Sequence, residues 1–256
     1  RGFAFYSYLT STRQPGEILS ELKAVAREAL EASIGQYRKN AGEFIARGGF
    51  LSGIREWEPA VLTFAELNRL AREVLGEDYE RFVAAALEAG LPGTDERDLA
   101  ARLVGAMVDR CGPAAPVVVV GFLPPWYPHR VSLGAGPGER VVEEAALQAV
   151  KEMKSRFGLD LEIRPFFEGI SDLSYCGFQG DRRQMEVLAD NMPGWGRLYR
   201  FPLDALAELD IPILNLGAVG KDAHKCTERV HLPYMLEVYP EILRFVVGEI
   251  IEGHRP

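Results

Sequence analysis

Leu214-Asn215-Leu216-Gly217-Ala218-Val219-Gly220-Lys221-Asp222-Ala223-His224-Lys225-Cys226-Thr227-Glu228-Arg229 continues a β-prone run that begins at Ile211. The run ends in two closely spaced glycines. The loop beyond them presents Asp222, His224 and Glu228 within seven positions. A strand end, a flexible turn and clustered metal-capable side chains are how α/β enzymes place chemistry at the carboxyl edge of a sheet. A polar surface loop with an incidental histidine has the same spacing. A second cluster, Phe166-Phe167-Glu168-Gly169-Ile170-Ser171-Asp172, also follows a β-prone run and favours the site.

Working outward, a helix is expected from Glu139 to Phe157, with Val142, Ala145, Ala146, Ala149, Val150 and Met153 on its apolar stripe and Gly158 ending it. Strands are expected at Leu159 to Arg164 and Ile211 to Leu216, and a terminal helix from Val238 to Ile251. This alternation predicts part of an open, mostly parallel α/β sheet over residues 131–256, with too few strands to be self-sufficient. Upstream, Phe3, Phe5 and Leu9 alternate with Ala4, Tyr6 and Tyr8 as in a half-buried strand. A helix follows, with Ile18, Leu22, Val25, Ala26, Ala29 and Ser33 at three-and-four spacing. Then come a strand at Ala60 to Thr63, helical material from Phe64 to Ala89 and a loop at Leu91-Pro92-Gly93. A helix capped by Thr94 or Asp95 and an apolar strand from Val117 to Leu123 complete the segment. That order predicts an α+β domain over residues 1–130 with a helical insertion. Pro124-Pro125-Trp126-Tyr127-Pro128-His129 is a stiff connector. Gly134-Ala135-Gly136-Pro137-Gly138 matches no phosphate-binding pattern and is a linker.

The composition sets bounds on function. The chain has 256 residues, 47% hydrophobic and 26% charged, enough for one large or two small cores. A formal net charge of −8 without a basic stripe argues against a nucleic-acid partner. No apolar run approaches the ~20 residues of a membrane span. Cys111, Cys176 and Cys226 share no C-x-x-C spacing, and free thiols in a cytoplasmic protein are expected. Glu143-Glu144 falls on a solvated helix face. Ser171 is followed at the second position by Leu173, so the G-x-S-x-G nucleophile elbow is absent. His231 is expected at the surface or in an interface.

The two loop clusters, in this order and about fifty residues apart, resemble the carboxy-terminal half of the zinc-dependent metallopeptidase and deacylase family of the M-20 type, with aminoacylase, peptidase T and succinyl-diaminopimelate desuccinylase. The likeness runs from about Ala115 onward. It is carried by Gly169-Ile170-Ser171-Asp172-Leu173-Ser174-Tyr175, Asp190-Asn191-Met192-Pro193 and Gly220-Lys221-Asp222-Ala223-His224, and these strings look most like the family's arginine-utilisation branch.

That resemblance implies a hydrolase cleaving an amide bond in a small amino-acid or peptide derivative. It implies two zinc ions in the complete enzyme, with His224 as the last protein ligand. It also implies an α+β lid at residues 1–130 that forms a homodimer, through residues within Arg1 to Leu123. The family's other ligands, a His-x-Asp pair, a bridging Asp and a Glu-Glu pair, are not found in this sequence, and its general-base glutamate is expected outside it. The chain opens Arg1-Gly2-Phe3 without an initiator methionine. The expectation is therefore a carboxy-terminal portion of a larger enzyme, inactive alone. A non-catalytic dimerisation or binding module, or one half of a split enzyme, are the alternatives.

Within the loops, Gly169 is expected to permit positive φ and close ligand approach, and Ser171 to donate a hydrogen bond to substrate. Asp172 is expected to fix its loop by accepting backbone amides, and Asp222 to orient a loop or histidine. Glu228 either acts like Asp222 or pairs with Arg229 or a lysine.

Overall fold

The computed structural model describes residues 2–10, 13–88, 90, 93–132, 136–167 and 169–253. Gly134 and Ala135 of the expected linker, Leu91 and Pro92 of the expected loop, Glu168 and His254 lie outside the described residues. The protein is mixed and mainly helical, with one small parallel sheet. It divides into two compact units, Arg1–Trp126 with Gly180–Phe201, and Tyr127–Gln179 with Pro202–Pro256.

In the first unit, α1 (Pro15–Ala46) starts with a proline at its first turn, where a missing N–H is harmless. Its inward stripe is Ile18, Leu22, Ala26, Leu30 and Ile34 at i+4 spacing, whereas Val25 is 59% exposed. β1 (Ala60–Thr63) pairs in parallel with β2 (Val117–Val120), from Ala60↔Val117 to Thr63↔Val120. Parallel neighbours need a crossover. Here it consists of α2 (Phe64–Leu75), a short 3₁₀ turn (Gly76–Asp78), α3 (Tyr79–Glu88) and α4 (Glu96–Cys111). Asp95 caps α4 by accepting from the Arg97 amide at 2.8 Å. Phe64, Leu67, Ala71, Tyr79, Val83, Leu103 and Met107 form the core of this helical layer.

Residues 180–201, expected in the second body, belong to the first unit. Asn191 explains why. It follows α6 (Arg182–Asp190), is 5% exposed, and its Oδ1 accepts from the Ala65 amide at 3.0 Å. Its Nδ2 donates to Val187 O at 2.9 Å, and its own carbonyl accepts from the Phe122 amide at 2.8 Å. Gln184 Oε1 adds a bond from the Gly16 amide at 2.9 Å.

The second unit is built on α5 (Pro137–Phe157) and α8 (Tyr239–Gly253), whose Ala145, Ala149, Met153, Ile242 and Val246 pack together. Gly158 ends α5 at φ +66, a left-handed conformation that a glycine adopts without a Cβ clash. A short π-helical turn (Tyr234–Val238) leads into α8, and α7 (Leu203–Leu209) precedes the Ile211 run.

The expected open parallel sheet is not found among the described residues of this unit. It contains only a hairpin of β3 (Gly220–Lys221) and β4 (Arg229–Val230), antiparallel. Leu159 to Arg164 and Ile211 to Leu216 form neither a helix nor a ladder. Their strand-like pattern is nonetheless used, since Leu161, Leu214 and Leu216 pack against the α5–α8 core. A one-sided apolar pattern directs a face inward, but only a neighbouring strand makes it a sheet. Residues 2–10, expected as a strand, likewise form no ladder, and Phe3, Phe5, Tyr6 and Leu9 are exposed.

No described helix is long and apolar enough to cross a membrane. All three cysteines are unpaired, and burial pushes the Cys111 thiol up.

Candidate functional site

The hairpin tip holds the first cluster. Asp222 (φ +57) and His224 (φ +63) are both in the left-handed region that non-glycine residues seldom occupy. Local polar bonds hold them there. Asp222 Oδ2 accepts from Thr227 Oγ1 at 3.1 Å and from Arg229 Nη1, and Glu228 Oε2 accepts from the His224 amide at 3.1 Å. Lys225 N donates to Asp222 O, and Glu228 N to Lys225 O, each at 3.0 Å. Arg229 therefore pairs with Asp222, and Glu228 braces the histidine backbone. The His224 side chain is exposed, as is Cys226.

The second cluster is organised differently from its expectation. Gly169 does not adopt positive φ. A Cβ there would lie 2.8 Å from Phe167 Cε1, so the constraint is the ring packed against it. Ser171, rather than Asp172, fixes the loop. Its Oγ accepts from the Leu173 amide at 3.3 Å and caps the short 3₁₀ helix Asp172–Cys176, which leaves its own O–H free in direction. Asp172 is exposed. The sequence pattern thus located both loops and misassigned which group holds the second one.

A residue that no motif singled out joins the roots of both loops. The Arg130 side chain is 1% exposed, 3.0 Å from Asp210 Oδ1 and 3.6 Å from Glu139 Oε1. Its Nη2 donates to Ile211 O at 2.8 Å, and the Ile211 amide donates to Cys176 O at 2.8 Å, so the end of the 3₁₀ helix is tied to the start of the hairpin's leading segment. Gly177 leaves room for the guanidinium, since a Cβ there would sit 3.1 Å from Arg130 Nε. Further along, Ser132 Oγ accepts from the Ile213 amide at 3.0 Å. Arg130 directly follows the proline-rich connector, and its partner Ile211 lies 81 positions further on.

Metal binding can be tested on this donor set. Among the described residues, no three or more His, Cys, Asp and Glu side chains are grouped to hold an ion. Catalytic zinc takes three protein ligands. His224 offers one, and Asp222 and Glu228 are occupied in bracing its loop. The residues present do not form a zinc site by themselves. His231, also exposed, uses Nδ1 to accept from the Tyr234 amide at 3.2 Å at the start of the terminal helical segment.

No protein-family model matches the chain, and no solved structure matches it. It is 30% identical to the uncharacterized protein YqjN of Bacillus subtilis (strain 168) over 248 residues, 96% of this chain and 44% of that protein. It is 25% identical to Protein RocB of the same organism over 138 residues, 54% of this chain and 24% of that protein. The chain spans less than half the length of these curated relatives and is a homologue of both, more distantly of RocB.

Proposed function

We propose that this chain is the carboxy-terminal, loop-bearing portion of a zinc-dependent hydrolase that cleaves an amide bond in a small amino-acid or peptide derivative, in cytoplasmic arginine catabolism. The observation that carries the reading is His224, fixed in backbone and exposed in side chain at the tip of a hairpin braced by Asp222 and Glu228. The relation to RocB supports it. In this reading His224 gives one ligand to a two-zinc centre whose other ligands and general base come from outside the 256 residues. Ser171 directs its hydroxyl at substrate, and residues within Arg1 to Leu123 form a homodimer. No catalytic step is assigned to the chain alone. A non-catalytic binding module is the second reading, favoured by the exposed apolar row Leu243, Val247 and Ile251 on α8.

The test is metal content with turnover. The chain alone, dialysed, should hold less than stoichiometric zinc and hydrolyse no acyl-amino acid. In the complete enzyme, His224→Ala should lose both zinc and turnover. Ser171→Ala should keep zinc and lose about 1–3 kcal/mol of substrate or transition-state binding. Full zinc loading and unchanged hydrolysis in the His224 variant would remove the hairpin from the site, and the hydrolase reading with it.

A further inference from the structure

A cleft of about 250 Å³ opens in the first unit between α2, α3, α4 and the turn after α6, and no residue of either loop cluster lines it. Its floor is apolar, with Phe64, Leu103 and Met192 all buried. Tyr79 lines it with its hydroxyl donating to Asn68 Oδ1 at 2.5 Å, and Trp195 forms a wall. Charges of both signs stand around the cleft. Glu80 lies between two guanidinium groups, Arg72 Nη1 at 3.7 Å from one carboxylate oxygen and Arg197 on the other, and Asp190 is nearby. The Arg72 guanidinium also stacks 3.9 Å from the centre of the Tyr79 ring, which holds it in place.

The geometry points to a binding site for one zwitterionic α-amino acid with an apolar side chain. Two arginines around one carboxylate form a fork that recognises carboxylates, and Glu80 occupies it from within. These side chains are 42–63% exposed, and ion pairs so exposed are weak and easily exchanged. An incoming carboxylate takes the arginines, and the ligand's ammonium takes the released Glu80. A ligand with a carboxylate alone would leave Glu80 with no cation returned. The apolar floor takes the side chain. The volume, below the ~300–1,000 Å³ of pockets for drug-sized ligands, suits a single amino acid.

The site is independent of the hydrolase reading, because binding is measured on the chain as given, without metal or turnover. Calorimetric titration would use L-leucine, N-acetyl-L-leucine and L-leucinamide. L-leucine should bind in about the millimolar range. The two derivatives, each missing one charge, should bind about tenfold more weakly or worse. Arg197→Gln should weaken L-leucine about tenfold with an unchanged thermal midpoint. Glu80→Gln should weaken L-leucine and strengthen N-acetyl-L-leucine, a crossing that loss of fold would not produce. Absence of L-leucine binding, equal binding of N-acetyl-L-leucine, or indifference to both substitutions would overturn the proposal.

Discussion

Asn191 in the first unit and the His224 hairpin in the second are both polar networks, and they are built in opposite ways. Asn191 is buried and joins groups far apart in sequence, being 126 positions from Ala65. The hairpin tip is exposed, and the side-chain bonds from Asp222 and Glu228 reach only four to seven positions along the chain. A buried polar group has no water to fall back on, so losing a partner leaves the full desolvation penalty. An exposed one exchanges a protein partner for solvent. Asn191 therefore bears on the stability of its whole unit, and the tip on the conformation of one loop.

The largest effect is expected where the network is buried. Asn191→Ala deprives the Ala65 amide of its acceptor at the start of α2 and opens a small void, so it should destabilise by about 1–3 kcal/mol. The loss should show in urea unfolding as a lower midpoint. A change below about 0.5 kcal/mol, the usual range for a neutral surface substitution, would put the two networks on the same footing.

Asp222→Ala should act locally and less strongly, about 1 kcal/mol, from a lost exposed brace and a left-handed residue that alanine tolerates poorly. Amide exchange at Lys225 and Glu228 should quicken while the global unfolding midpoint scarcely moves. Asp222→Asn, which tolerates the left-handed region, should recover part of the protection. If the midpoint fell as far as for Asn191→Ala, the contrast would be broken.

The same contrast governs what the sequence disclosed. Local signals were legible. Ala60 to Thr63 is a strand, Asp95 a helix cap, and the α5 stripe with Gly158 at its end is as its spacing implies. Both loop clusters were visible because each lies within a few residues. What failed needed a partner the pattern does not name. Leu159 to Arg164 and Ile211 to Leu216 carry strand-like alternation, yet ladders are made between segments, and none is supplied to them among the described residues. Arg130 was missed for the same reason, since a buried arginine declares itself only when Glu139 and Asp210 arrive beside it, and Asn191 stood in a quoted string without its joining role being legible. Gly169 and Asp172 were assigned roles that fall to Phe167 packing and the Ser171 hydroxyl, neighbours whose rotamers residue type does not fix.

A case between the two extremes is Glu66, half-exposed and joined both locally and at long range. Its Oε2 accepts from the Thr63 amide at 2.7 Å, and Thr63 Oγ1 accepts from the Glu66 amide at 3.2 Å, a reciprocal capping box. Lys23 Nζ from α1 reaches both carboxylate oxygens at 2.7 Å. Burial alone would raise this carboxyl. The lysine and the cap bonds outweigh burial, and the group is held below its ordinary value of 4.5. A carboxyl depressed in the folded state binds fewer protons there than in the unfolded chain. Its stabilisation is present in full above the ordinary value and is lost as pH falls through the lower, folded value. Glu66→Gln keeps the cap's acceptor and removes the charge seen by Lys23. Near neutral pH it should cost only a few tenths of a kcal/mol, because the pair is partly exposed. Its signature is the slope, since stability between about pH 5 and pH 3 should fall less steeply in the variant than in the parent. Identical slopes would show that the lysine contact and the cap bonds together leave this carboxyl undepressed, and that the cap, like the hairpin tip, adds no pH-dependent stability to its unit.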